Sequence, residues 1–125
     1  INPIKRISRI IKKKKPNVPI IVFPRNVGPR YGEYIHKNID CISVGEDIKK
    51  KEIKKIQEKK IIQGNLPPRA LLKGGKKLET EIKKVLNNFS GKPFIFNLSH
   101  GIMPKTPIKN VEKLLKIIRN YKNEI

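Results

Sequence analysis

The chain has 125 residues, of which 37% are hydrophobic, and this length suits about one small domain with a modest core. Its net charge is +20, but 24 lysines against 6 arginines, spread over every predicted helix, are more typical of a solvated surface than of a specific nucleic-acid interface. Its single cysteine, Cys41, excludes an internal disulfide and a cysteine cluster for a metal. No apolar run approaches the roughly 18 residues of a membrane span. We therefore expect a cytoplasmic protein.

The first part of the chain alternates helical and strand patterns. Isoleucines at helical spacing predict a helix over residues 2–14, which Pro16 ends. The apolar run 18–23 predicts a buried strand, residues 31–37 a weaker helix, and residues 39–44 a second strand. Because the chain starts inside a helical pattern and without methionine, we expect it to be part of a longer protein.

The same alternation continues to the end of the chain. In chain order it predicts a lysine-rich helix over 47–59, a strand over 60–64, a proline-containing loop or turn over 65–72, a helix over 77–89, a strand over 93–98 and a helix over 107–121 with Thr106 as its N-cap.

Short apolar strands separated by amphipathic helices predict an α/β fold with parallel strands, since antiparallel strands would be joined by tight turns. Four such βα units fit half of a (β/α)₈ barrel or a small doubly wound sheet, and the periodicity does not choose between them. In both folds the residues that end the strands meet on one face.

Polar residues follow each of the four predicted strands. They are Arg25 and Asn26, then Ser43 to Glu46, then Gly64 and Asn65, and finally Asn97 to His100. Each of them taken alone is also ordinary loop chemistry, with glycine in tight turns and asparagine or serine in side-chain turns.

The segment 93–107, PFIFNLSHGIMPKTP, carries the clearest functional pattern. Phe94 to Phe96 predict a buried strand, and His100 follows at its carboxyl end between Ser99 and Gly101. A histidine in this place is typical of the active site of an α/β enzyme, because an imidazole can bind an anion or move a proton near neutral pH.

These strand ends resemble the carboxyl-terminal third of the uroporphyrinogen decarboxylase family. The resemblance covers nearly the whole chain from Val18 onward and is carried by VPIIVFPRNVG at 18–28, IDCISV at 39–44, IIQGNLPPRALLKG at 61–74 and PFIFNLSHGIMPKTPIKNV at 93–111. The last segment is the most specific, since the family pattern Asn-Leu-Gly-His-Gly-Ile recurs from Asn97 to Ile102 with one change.

The sequence departs from the family pattern at three places. Ser99 stands where glycine is usual, so a negative φ or some strain is expected there. Pro67 replaces the aspartate of Gly-Asn-Leu-Asp-Pro, which removes a carboxylate. The residues Ser43 to Glu46 stand where Leu-Asp-Trp is frequent.

The resemblance implies that residues 1–125 are a partial barrel domain, roughly the last four βα units of a (β/α)₈ barrel. It implies a homodimer that uses no metal or organic cofactor and decarboxylates the four acetate side chains of uroporphyrinogen to methyls, giving coproporphyrinogen in porphyrin and haem biosynthesis. The other site groups of the family lie upstream of this sequence. We therefore expect these residues alone to be inactive, and to aggregate through uncovered sheet edges.

Only the family's histidine maps onto this chain, as the candidate substrate-binding residue His100, and no catalytic residue is assigned. Arg25, Asn65 and Asn97 are weaker candidates for lining the cleft. His36 has no such context and is expected to face solvent, whereas the tyrosines at 31 and 34 are expected to pack on neighbours.

Two other functions compete with this interpretation. A cobalamin-linked methyltransferase of the same barrel superfamily would need zinc ligands that include a cysteine near the last strand, but Cys41 lies in an earlier one. A basic nucleic-acid module would need aromatic residues interleaved with its cations, yet aromatic residues make up only 6% of the chain. The sequence therefore favours a porphyrinogen substrate over nucleic-acid or membrane partners.

Overall fold

A computed structural model of the chain describes residues 1–122, and its strands form one parallel sheet. The strands are β1 (Ile21–Val22), β2 (Cys41–Ser43), β3 (Ile61–Leu66) and β4 (Phe94–Leu98), and they lie side by side in chain order. Every neighbouring pair is parallel. The predicted α/β fold with parallel strands and alternating helices is therefore confirmed.

Helices precede, connect and follow the strands. They are α1 (Asn2–Lys14), a 3₁₀ helix (Gly28–Tyr34), α2 (Lys50–Gln57), α3 (Pro68–Lys73), α4 (Gly75–Phe89) and α5 (Ile108–Asn120). The bounds of α1 are those predicted from the isoleucine spacing. Within residues 1–122, no helix has the length and apolarity needed to cross a membrane.

The first strand is shorter than predicted. β1 keeps two of the six residues 18–23, and it pairs only with β2. Pro19 and Pro24 flank it, and a proline has no N–H to donate to a strand ladder, so the pairing cannot extend across either residue.

The prediction of a loop or turn over residues 65–72 was wrong. β3 runs on to Leu66, and α3 follows after a single residue. Pro67 is the N-cap of α3 and Pro68 its first residue, where a proline costs no hydrogen bond and its fixed φ suits a helix. The two prolines thus start a helix.

Two helix starts also differ from the prediction. α2 begins at Lys50 because the carboxylate of Asp47 is used in the preceding loop, where it accepts hydrogen bonds from Gly28 N and Tyr31 Oη. α5 begins at Ile108 with Pro107 as its N-cap, and the Thr106 hydroxyl instead donates to the carbonyl oxygen of Met103, 2.7 Å away.

The hydrophobic core lies between one face of the sheet and the helices. On β3, Ile62 and Leu66 are fully buried on this face. The helix α4 covers it with residues at i, i+3 and i+4 spacing, namely Leu78, Ile82, Val85, Leu86 and Phe89. This packing fixes the carboxyl ends of the strands relative to one another.

The opposite face of the sheet is partly open within the described residues, although Cys41 and Ser43 on β2 are buried there. Its alternate side chains include Ile21, Ile61 and Ile95, which are 49%, 39% and 41% exposed. Ile95 was predicted to be buried, but β4 is an edge strand and only one of its faces meets helices. The uncovered sheet edges expected from the sequence are therefore present, since β1 and β4 each pair with a single strand.

Candidate functional site

The carboxyl ends of β1, β2 and β4 surround a cleft of about 260 Å³. Its lining residues are Phe23, Arg25, Asn26, Tyr31, Gly45, Glu46, Asp47 and His100. Two of the predicted site residues, Arg25 and His100, thus line the same cleft. It combines a guanidinium, an imidazole and two carboxylates, and such a set can bind anionic and N–H groups of one ligand.

His100 is half-buried and lies against an aromatic ring. The ring centroids of His100 and Phe23 are 5.8 Å apart, with the planes tilted by 47°. Phe23 follows β1 and His100 follows β4, the two edge strands, which a flat sheet of four strands would separate by roughly 14 Å. The segments after the edge strands therefore bend toward each other over the end of the sheet, as happens when a sheet curves toward a barrel.

The loop between β2 and α2, residues 44–49, connects the parts of the cleft. The N–H of Gly45 donates to Tyr31 Oη at 3.0 Å, and the carbonyl of Gly45 accepts from Asn65 Nδ2 at 2.9 Å. The Ser99 hydroxyl donates to Glu46 Oε2 at 2.9 Å. The β2–α2 loop is thus joined by hydrogen bonds to the 3₁₀ helix, to β3 and to the end of β4.

Tyr31 and Asp47 form the wall of the cleft beside the 3₁₀ helix. The Tyr31 hydroxyl donates to Asp47 Oδ1 at 2.6 Å, and Asp47 Oδ2 accepts from Gly28 N at 3.0 Å. Burial raises the pKa of Tyr31, and the hydrogen bond to Asp47 raises it further, so the hydroxyl stays protonated and remains a donor. Tyr31 packs in the core as expected, and its hydroxyl also orders the cleft.

The two asparagine candidates lie elsewhere. Asn65 and Asn97 are partners in the β3–β4 register. Asn65, whose peptide bond to Gly64 is cis, supports the cleft through Gly45 and faces a separate cavity of about 390 Å³ beside α2 and α4. Asn97 is exposed, and its side-chain oxygen accepts the N–H of Leu98. Neither asparagine lines the cleft that holds His100.

Six cleft residues were not among the four candidates of the sequence analysis: Phe23, Asn26, Tyr31, Gly45, Glu46 and Asp47. For the two acids a signal was present, since they follow the predicted strand 39–44 after a single residue, Gly45. His36, predicted to face solvent, is half-buried, and its Nδ1 accepts a long hydrogen bond of 3.4 Å from Asn38 N.

We predict that replacing Tyr31 by phenylalanine lowers the free energy of unfolding by about 2 kcal/mol. The change removes the donor to Asp47 and leaves the buried N–H of Gly45 without its acceptor. Urea-induced unfolding of the full-length protein, followed by circular dichroism, measures this loss of stability.

The matched control is Tyr34→Phe in the same helix. Tyr34 is also buried, but its hydroxyl makes no hydrogen bond to the residues that the structure describes, so the loss should stay below about 0.5 kcal/mol. Equal stabilities of the two variants would mean that the Tyr31 hydroxyl does not hold the β2–α2 loop.

Comparison with known proteins gives one consistent result. The family model described as Uroporphyrinogen decarboxylase (URO-D) matches residues 1–121. Proteins named uroporphyrinogen decarboxylase from Orientia tsutsugamushi (strain Boryong) and Rickettsia africae (strain ESF-5) are 42% and 39% identical over 97% and 99% of this chain. One from Paracoccus denitrificans is 36% identical over 95%. The chain spans only about a third, 35% to 36%, of the length of these relatives.

Proposed function

Because the chain belongs to the uroporphyrinogen decarboxylase family, we propose that it forms the carboxyl-terminal part of an enzyme that converts uroporphyrinogen to coproporphyrinogen. Each of the four acetate side chains loses carbon dioxide and becomes a methyl. The observation that carries this proposal is the position of the family-like segment 97–102, which ends β4 and brings His100 into the same cleft as Arg25.

We propose further that residues 1–125 supply about four βα units of a (β/α)₈ barrel. The open sheet face with Ile21, Ile61 and Ile95 supports this proposal, because apolar strand residues of this kind fill the interior of such a barrel. The approach of Phe23 to His100 supports it as well, since it requires the curvature of a closing sheet. The greater length of the relatives leaves room for the other units.

The proposed chemistry needs a proton on a pyrrole carbon, which makes the ring an acceptor for the electrons of the breaking carbon–carboxyl bond. Carbon dioxide then leaves, a second proton adds to the exocyclic carbon to form the methyl, and the ring carbon gives up its proton to restore the pyrrole. In the cleft, Arg25 suits a substrate carboxylate because a guanidinium pairs with it in two parallel hydrogen bonds. His100 would contact a carboxylate or pyrrole and assist the proton transfer.

The alternative of a zinc-dependent methyltransferase is not favoured. Cys41 lies inside β2 and is buried, and burial raises its pKa to about 11, whereas a zinc ligand is a thiolate. The proposed decarboxylase is a cytoplasmic homodimer that acts on a porphyrinogen.

An assay on the full-length protein tests the proposed function. Under anaerobic conditions with uroporphyrinogen, we expect coproporphyrinogen to accumulate, measured by chromatography of the oxidised porphyrins. The matched control is the 125-residue chain alone, which should show no turnover because its sheet face is uncovered. Absence of product with the full-length protein would refute the decarboxylase proposal, and turnover by the short chain would refute the partial barrel.

A further inference from the structure

The Ser99 side chain is fixed more firmly than its position in a loop requires. It is 1% exposed, and its hydroxyl donates to Glu46 Oε2 at 2.9 Å although the two residues are 53 positions apart. Its backbone N–H donates to the carbonyl of Leu66 at 2.8 Å. The residue before His100 is therefore held from two directions, by β3 and by the β2–α2 loop.

Glu46 belongs to the same cleft as His100. The Glu46 side chain is exposed, whereas Ser99 is buried. The Ser99–Glu46 hydrogen bond is therefore held rigid from the Ser99 side. A hydroxyl that donates to a charged carboxylate makes a stronger hydrogen bond than one between neutral groups. The bond fixes the peptide from which the imidazole of His100 projects toward Phe23.

Both partners stand where the sequence departs from the family pattern described above. A glycine in place of Ser99 would have no side-chain donor, and Glu46 ends the segment 43–46 that replaces the usual residues. Ser99 is not among the described residues with a positive φ, so the serine fits its turn without backbone strain. Two departures that are distant in the sequence thus meet in one hydrogen bond.

We infer that Ser99 and Glu46 are a positioning pair, whose hydrogen bond holds the His100 imidazole in place against Phe23. In this role Glu46 accepts the hydrogen bond of the Ser99 hydroxyl and acts on His100 only through Ser99. The role in catalysis rests on the proposed function, whereas the placement of the imidazole does not.

The test compares Ser99→Ala, Glu46→Ala and the double variant in the full-length enzyme. Each single variant should lower kcat/KM about tenfold, and the double variant should lose no more than either single one, since all three remove the same bond. Glu46→Gln keeps an acceptor oxygen for the Ser99 hydroxyl and serves below as the variant that retains the bond.

Proton NMR gives a readout that does not need turnover. The ring current of Phe23 shifts the resonances of the His100 ring protons. These resonances are assigned by their disappearance in His100→Ala. The variant Phe23→Leu gives the chemical shifts that the His100 protons have without the Phe23 ring. In Ser99→Ala and Glu46→Ala these resonances should move toward the Phe23→Leu value. In Glu46→Gln they should stay at the wild-type value.

Ser43→Ala is the matched control. Ser43 is also a buried serine, and its hydroxyl accepts a hydrogen bond of 3.1 Å from Gln63 Nε2, but this bond does not involve His100. Its loss should leave kcat/KM and the His100 shifts unchanged. Multiplicative losses in the double variant, or unchanged His100 shifts in Glu46→Ala, would overturn the inference. A wild-type enzyme without decarboxylase turnover would refute the proposed function alone, because the shifts would still test the positioning pair.

Discussion

Replacing His100 by alanine in the full-length enzyme should lower kcat/KM for uroporphyrinogen about 100-fold. The imidazole lies in the cleft with Arg25 and is ordered by the Phe23 ring, so its removal takes away a preorganised group that no other cleft residue replaces. Steady-state assays of coproporphyrinogen formation measure the loss. The fold should be unchanged, because His100 is not part of the hydrophobic core.

His36→Ala is the control for this prediction. His36 is half-buried like His100, but it contacts Asn38 near the 3₁₀ helix and does not line the cleft. Its removal should change kcat/KM by less than about twofold. If the two histidine variants have equal activity, His100 is not a substrate-contacting residue.

Replacing Gly64 by alanine should lower the free energy of unfolding by about 3–5 kcal/mol. Gly64 is buried in the middle of β3 with φ +142°, a conformation that side chains strongly disfavour. An added Cβ would lie 2.8 Å from the carbonyl oxygen of Val44, which is backbone and cannot rotate away. Urea-induced unfolding of the full-length protein measures the loss.

Two other glycines separate the causes of this loss. In Gly75→Ala the φ is +69° but no atom lies within 4 Å of the added Cβ, so the cost should be about 1 kcal/mol from the backbone alone. Gly101 has neither a positive φ nor a close neighbour, and Gly101→Ala should be nearly neutral. Similar losses for Gly64→Ala and Gly75→Ala would mean that β3 can move away from Val44.

Elements with a strong apolar stripe could be predicted from the sequence. α1 has its predicted bounds, and α4 differs by two residues at its start, because local spacing alone decides these helices. The start of α2 could not be predicted, since the Asp47 carboxylate is used by Gly28, 19 residues earlier. Prolines are frequent both in loops and in the first turn of a helix, and the proline pair at 67 and 68 was interpreted as a loop. The structure shows that it starts α3.

The site was predictable where its residues directly follow a strand. His100 and Arg25 were identified in this way, and both line the cleft. The contact between Phe23 and His100 depends on the curvature of the sheet, which no local pattern encodes. Asn97 follows the same rule as His100, but its side chain bonds to its own strand.

The hydrogen bonds of the β2–α2 loop also set an order of assembly. As the chain leaves the ribosome, the loop can bond to Gly28 and Tyr31 early, but the partner of Glu46 is synthesised 53 residues later. Contacts of such long sequence separation form slowly, because a large loop must close before they are made. The cleft therefore cannot be complete before β4 joins the sheet, because His100 and the Ser99 partner of Glu46 both follow that strand.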